Sequence, residues 1–304
     1  MLPGPSKKSC SIGRKCKLVS DKPSTENGYF LEDLKLIRRT CLYAATRLGD
    51  LREDMVVVGG LVPSLLIDGD QPENEYKSVL SRHVGTLDLD IGLSLGLLDT
   101  GRYKKFAKRL REAGFRNDVK ESGEKRTHRW VIEMEDRRIE LDFLVSKSDE
   151  QDKGGGEILN IEGDFSAIVT PGLHLAFEDY ERIELRERIP GKGKAKREIK
   201  VAGPAAFLIL KSLAFDLRGT NKDAYDLYYV LRNYPGGTEE IAQRFNNFKK
   251  GGVVASSLDI LKRDFRNEDM IGPQSVANFV ASNEQNTEIR ADIVAFINDF
   301  LKKL

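Results

Sequence analysis

Apolar residues Leu34, Ile37, Cys41, Ala45 and Leu48 recur at helical spacing, which predicts an amphipathic helix from Leu31 to a stop at Gly49. The run Met55 to Val58 is short and rich in β-branched residues, and Gly59 and Gly60 follow it at once. Leu61 to Ile67 then reads as helix, with Pro63 tolerable in its first turn, so the segment is a strand, a glycine turn and a helix. From Gly85 to Leu95 the period changes to two: Leu87, Leu89, Ile91, Leu93 and Leu95 alternate with Thr86, Asp88, Asp90, Gly92 and Ser94. That is the signature of a strand with one apolar face. A helix from about Tyr103 to Ala113 stops at Gly114, and two strands, Arg129 to Glu135 and Arg138 to Val145, meet at a turn near Asp136.

Asp149 to Gly156 reads as loop, and Glu157 to Val201 as further short β runs interrupted by a Gly/Lys loop from Pro190 to Arg197. Beyond Pro204 the pattern becomes helical throughout, over about 204–217, 222–232, 238–248, 253–265, 273–281 and 286–303, with glycines as stops. The expected organisation is a flexible basic tail at 1–28, a mixed α/β (α+β) unit with flanking helices at 29–201, and an all-α C-terminal domain at 202–304.

Composition narrows the class without choosing a function. Across 304 residues, 49 Lys and Arg face 48 Asp and Glu, a net charge of +1, so any charge-driven function is local. No apolar run is long enough for a membrane helix and no signal-like segment opens the chain, so no membrane partner and a cytoplasmic location are expected. The three cysteines make neither a disulfide framework nor a four-ligand zinc site.

The chemistry concentrates on the polar faces of two strands. Asp88 and Asp90 leave the same face of a strand whose other face is Leu and Ile, and like charges there call for cations. A solvated edge strand is the plain alternative. Asp142, sharing a face with Glu140 on the strand Arg138 to Val145, supplies a third carboxylate, and three aspartates from adjacent strands are what a two-metal phosphoryl-transfer site requires. Gly59 and Gly60 let backbone N–H groups approach a phosphate, although many strand-to-helix turns carry glycine for conformation alone. Lys211 is the one charge in an otherwise apolar window from Pro204 to Phe215, so it must pair with an acid such as Asp226 or bind an anion. Arg218 lies two helical turns along the same face. The loop Gly191 to Arg197 is either a basic finger for an RNA backbone or a solvated hairpin tip.

These residues together resemble a known family. The strand-glycine-helix of Val56 to Leu66, the segment Arg82 to Ile91 containing Asp88-Leu-Asp90, and Ile139-Glu140-Leu141-Asp142 look like the polymerase-β-type nucleotidyltransferase fold. Leu210 to Arg218, followed by Lys222-Asp223-Ala224-Tyr225-Asp226-Leu227, is similar to the C-terminal motif of its abortive-infection, AbiEii-like, toxin branch. The resemblance implies Gly59, Gly60, Ser64 and Thr86 near the triphosphate, Asp88, Asp90 and Asp142 on two Mg2+ ions, and Lys211 on a phosphate. Arg218, Lys222, Asp223 and Asp226 would line or brace the same site. The implied reaction moves a nucleoside monophosphate from an NTP to an acceptor such as the 3′ end of a tRNA, in a toxin with a cognate antitoxin as partner. A non-catalytic nucleotide-binding sensor and a cyclic-oligonucleotide synthase share much of the pattern.

Overall fold

The computed structural model describes residues 22–68, 82–94, 101–146, 155–191, 193–249, 251–280 and 286–304. The N-terminal helix α1 (Leu31–Leu48) forms as its periodicity predicts and ends at Gly49, whose φ of 62° supplies the left-handed stop. A strand β1 (Met55–Val58) leads into the glycine turn, and β2 (Asp88–Leu93), α2 (Arg102–Glu112), β3 (Arg116–Val119), β4 (Lys125–Met134) and β5 (Arg137–Val145) follow. The segment after Gly60, expected to be regular helix, is instead a 3-10 turn at Gly59–Leu61 followed by a π-type turn at Ser64–Asp68.

Four strands come next: β6 (Ile158–Glu162) and β7 (Phe165–Val169), then, after the short helix α3 (Leu175–Glu178), β8 (Tyr180–Ile189) and β9 (Gly193–Ala202). Of the two readings open for Gly191 to Arg197 the hairpin is the one that forms, with a turn shorter than the loop expected from Pro190 to Arg197. β8 and β9 pair antiparallel from Tyr180↔Ala202 to Ile189↔Gly193, so residues 193–197 belong to a strand and the described turn residues reduce to Pro190 and Gly191. Alternation of Leu185, Ile189 and Ile199 into the core explains why strand wins over loop.

The described strands form one mixed sheet in the order β3-β4-β5-β2-β1-β9-β8, with β7 also pairing β5 and β6 pairing β7. Its centre, β5-β2-β1, carries the site. α1 packs on β8 and β9. Six helices follow, α4 (Pro204–Arg218), α5 (Asn221–Asn233), α6 (Gly237–Asn246), α7 (Gly252–Asp264), α8 (Ile271–Val280) and α9 (Asn286–Lys302), close to the expected spans. One contiguous hydrophobic cluster runs from Val57 and Phe143 in the sheet to Phe207, Tyr225 and Phe300 in these helices. No described helix is long and apolar enough to cross a membrane.

Candidate active site

Strand register assembles the carboxylates. β2 and β5 are parallel neighbours with Asp88 opposite Glu140 and Asp90 opposite Asp142, and register partners point to the same face of a sheet. Asp88, Asp90 and Asp142 each bring a carboxylate oxygen within 4.8 Å of the others. β1 lies on the other side of β2, antiparallel, with Val58 opposite Asp90, which delivers the glycine turn to the same place. Gly59 has φ +70°, and a Cβ there would lie 2.0 Å from Asp90 Oδ2, so both conformation and the nearness of the carboxylate require glycine. A Cβ on Gly60 would meet Thr86 Oγ1 at 2.7 Å and lie 3.8 Å from Lys222 Nζ.

Cations neutralise two of the three carboxylates. Arg129 on β4 grips Asp142 with Nε on Oδ1 at 2.7 Å and Nη2 on Oδ2 at 2.6 Å, while its Nη1 donates to Glu140 at 2.6 Å. Asp88 accepts from Thr86 Oγ1 at 2.9 Å and lies 2.5 Å from Lys22 Nζ. Burial alone would raise the Asp88 carboxyl, but the Lys22 ammonium, the Thr86 hydroxyl and Arg129 together outweigh it and hold the group below the ordinary carboxylate value. Among the described residues no hydrogen bond or ion pair reaches Asp90. Burial, reinforced by the adjacent Asp88, pushes its carboxyl up to about 7.

A second constellation lies beside the first, buried between α4 and α5. Its local frame follows from capping: Gly219 closes α4 in the left-handed conformation, and Thr220 caps α5 by accepting from the Asp223 N–H while its hydroxyl donates to Asp223 Oδ2 at 2.6 Å. Lys211 Nζ donates to Asp223 Oδ1 at 2.9 Å and makes a 2.7 Å ion contact with Asp226 Oδ2 that is not aligned as a hydrogen bond. Arg218 forks onto both oxygens of Asp223, and Lys222 Nζ reaches Asp226 Oδ1 at 2.5 Å.

His83 completes the set. Its Nε2 donates to Asp226 Oδ1 at 2.8 Å, Nδ1 accepts from the Gly85 N–H at 3.0 Å, and the ring stacks on Tyr225 with centroids 5.4 Å apart. That pattern fixes a neutral imidazole. Burial, with Lys222 alongside, holds its pKa down to about 4. Burial likewise lowers Lys222 to about 8 against the pull of Asp226. For Asp223 the cations outweigh burial, Lys211 first and Arg218 next, and its carboxyl falls to about 2. The two constellations act on each other: Lys211 opposes the rise at Asp90, and Asp90 and Asp88 raise Arg218.

The sequence model of the nucleotidyl transferase AbiEii toxin family, a type IV toxin–antitoxin system, matches residues 79–303. The chain belongs to this family. It is therefore a nucleotidyltransferase, and family membership brings an NTP substrate and a cognate antitoxin with it. No curated protein matches the chain. The matched span holds all three carboxylates and both arms of the buried network, and it begins after Gly59 and Gly60.

Within this AbiEii-family chain the residues singled out by sequence separate into two environments. Asp88, Asp90, Asp142, Gly59, Gly60 and Thr86 converge at the sheet centre, while Lys211, Arg218, Lys222, Asp223 and Asp226 form the neighbouring charge network. Lys211 is fully engaged by the two acids, the pairing that sequence left open as one of two outcomes. Ser64 is buried, with its hydroxyl donated to the Leu61 carbonyl at 2.8 Å, and it does not join the carboxylates.

Three contributors escaped the sequence reading. Lys22 stood in the expected flexible tail, yet residues 22–28 lie against the protein: Asn221 donates to the Ser24 carbonyl and Tyr29 to that of Pro23. Residues 1–21 of that tail lie outside the described residues. Arg129 carried one signal, its place on the strand next to that of Asp142, but choosing it needed the β4–β5 register. His83, which precedes the Asp88–Asp90 strand, carries no partner signal in the sequence and is buried against Asp226 and Tyr225.

Proposed function

We propose that the chain transfers a nucleoside monophosphate from an NTP to a hydroxyl of an RNA acceptor, the 3′ end of a tRNA, in the cytoplasm and with two Mg2+ ions. The observation that carries this is the convergence of three carboxylates beside the Gly59–Gly60 turn, with no hydrogen bond or ion pair reaching Asp90 among the described residues. The donor set fits hard divalent cations, because it is all carboxylate oxygen and Asp90 is exposed enough to be reached.

In the reaction the acceptor hydroxyl oxygen forms a bond to the α-phosphorus and gives up its proton to water, the bond from that phosphorus to the bridging oxygen breaks, and its electron pair leaves with pyrophosphate. Asp88, Asp90 and Asp142 would hold the divalent cations, which would supply neutralisation of the charge that develops and a lowered pKa for the attacking hydroxyl. Arg129 holds Asp142 by both oxygens, so Asp142 is a fixed ligand rather than a mobile proton acceptor. The Gly59–Gly60 turn, which carries no side chains of its own, lies against Asp90, Thr86 and Lys222, and its backbone N–H groups would serve the triphosphate. The Lys211–Asp223–Asp226–His83 network braces α4 and α5, fixes Arg218 on Asp223 and holds Lys222 beside Gly60.

The test is incubation of the chain with each labelled NTP, Mg2+ or Mn2+, and total RNA, followed by electrophoresis. Label on tRNA-sized RNA is expected. Tight NTP binding with no label transferred to any RNA would overturn the reading in favour of a nucleotide-binding module.

A further inference from the structure

The β8–β9 hairpin at the sheet edge has two different faces. Leu185, Ile189 and Ile199 turn into the core, while Arg182, Arg186, Arg188, Lys194, Lys196 and Lys200 point the other way. Register sets these cations directly opposite one another, Arg182 against Lys200, Arg186 against Lys196 and Arg188 against Lys194. Like charges in cross-strand pairs are destabilising, so the arrangement is not explained by the stability of the hairpin. Three carboxylates offset it in part: Glu184 engages Arg186 and Lys196, Glu198 engages Arg182, and Glu53 engages Arg182 and Lys200. Arg188 and Lys194 have no acidic partner among the described residues.

The sheet then fixes where this ladder points. β9 runs parallel to β1 with Val201 opposite Val57, and Val57 lies opposite Ile91 on β2. Val201, Val57 and Ile91 therefore share the face turned away from the carboxylates, and Lys200 and Asp90, each one residue removed, share the other. The ladder and the carboxylates are on one face, separated by β1. From Lys200 to Lys194 the ladder extends about 20 Å at roughly 3.3 Å per residue, longer than a mononucleotide.

We propose that this ladder is the track for the sugar–phosphate backbone of the nucleic-acid acceptor whose 3′ end enters the carboxylate site. It rests on the RNA-acceptor reading above and adds the surface that would hold the RNA. Glu184 and Glu198, opposite each other, interrupt the ladder, but Arg186 and Arg188 on β8 and Lys194 and Lys196 on β9 stand two residues apart, roughly 6.6 Å and of the order of the spacing between successive phosphates. Backbone contacts of this kind position a polymer without reading its sequence.

The experiment measures anisotropy of a fluorescent RNA stem with a single-stranded 3′ end against the full chain over a KCl series. In the quadruple variant Arg186→Ser, Arg188→Ser, Lys194→Ser, Lys196→Ser, the slope of log K against log[salt] is expected to fall by about 3, at roughly 0.7–0.9 for each phosphate no longer neutralised. Affinity at about 0.1 M salt should weaken at least tenfold, while binding of the NTPs is unchanged. Glu184→Gln with Glu198→Gln should tighten RNA binding, a change of opposite sign that misfolding would not produce. RNA bound by all forms with one salt slope would overturn the track and leave the acceptor reading standing. Failure of the unaltered chain to bind RNA at low salt would overturn both, and equal binding of polyglutamate would overturn the assignment to nucleic acid.

Discussion

Replacing Lys211 with Met separates a bracing role from a phosphate-binding one. Met keeps the length and packing of the stem and removes the ammonium, which is buried 2.9 Å from Asp223 Oδ1 and 2.7 Å from Asp226 Oδ2. Removing one partner of a buried ion pair costs about 3–5 kcal/mol when the other charge is stranded. Here neither acid is left alone, since Asp223 keeps Arg218 and Thr220, and Asp226 keeps Lys222 and His83. The loss therefore falls at the low end, about 3 kcal/mol. With an unfolding entropy of about 2.1 cal/mol/K per residue, that lowers Tm by about 5 °C for a chain of this length. A calorimetric scan reads the shift, and Asp226→Asn in the same background should then cost less than it does alone, because the two changes remove the same ion pair. A variant with unchanged or raised Tm and transfer reduced a hundredfold would refute the bracing role and put the ammonium on the substrate.

Further outcomes follow from the same geometry. Lys22→Met removes the cation 2.5 Å from Asp88, and affinity for Mn2+ should rise about 2–10-fold by calorimetric titration, the worth of a partly exposed ion pair. Unchanged or weaker Mn2+ binding would show that Lys22 does not compete for the carboxylates. His83 makes stability depend on pH: the unfolded chain takes up a proton below about 6.5, whereas the folded imidazole resists until about 4. Stability from this group is complete above pH 6.5 and is lost as pH falls toward 4, by up to about 3 kcal/mol. His83→Asn should flatten that part of the urea-denaturation profile, and parallel profiles for the two proteins would refute the neutral buried imidazole.

Much of the site was legible because strand alternation is a local property. The alternation of Leu and Ile with Thr86, Asp88 and Asp90 puts both acids on one face whatever the rest of the chain does, and β5 repeats the pattern for Asp142. The glycine turn is equally local. What sequence could not supply was register between distant strands, which decides that Asp142, not Glu140, lies opposite Asp90 and that Arg129 reaches both acids. The loop expected at 190–197 is shorter than the sequence suggests because the charged residues from Gly193 on hide a strand whose apolar positions are few, and only pairing with β8 and packing on α1 reveal it. Lys211 posed a choice between an acid and a phosphate that depends on where α5 places Asp223 and Asp226, a tertiary fact.

The central claim is that Asp88, Asp90 and Asp142 hold the cations of nucleotide transfer, and Asp90→Asn tests it most directly. The substitution keeps the shape of the side chain and removes its charge, relieving repulsion with Asp88 and Asp142. Label transfer from NTP to RNA is measured over a Mn2+ series alongside the thermal melt. The account predicts transfer reduced at least about a hundredfold at every Mn2+ concentration, as loss of several kcal/mol of charge stabilisation requires, with Tm unchanged or raised. Transfer at the unaltered rate once Mn2+ is saturating, or a protein that no longer folds, would contradict it.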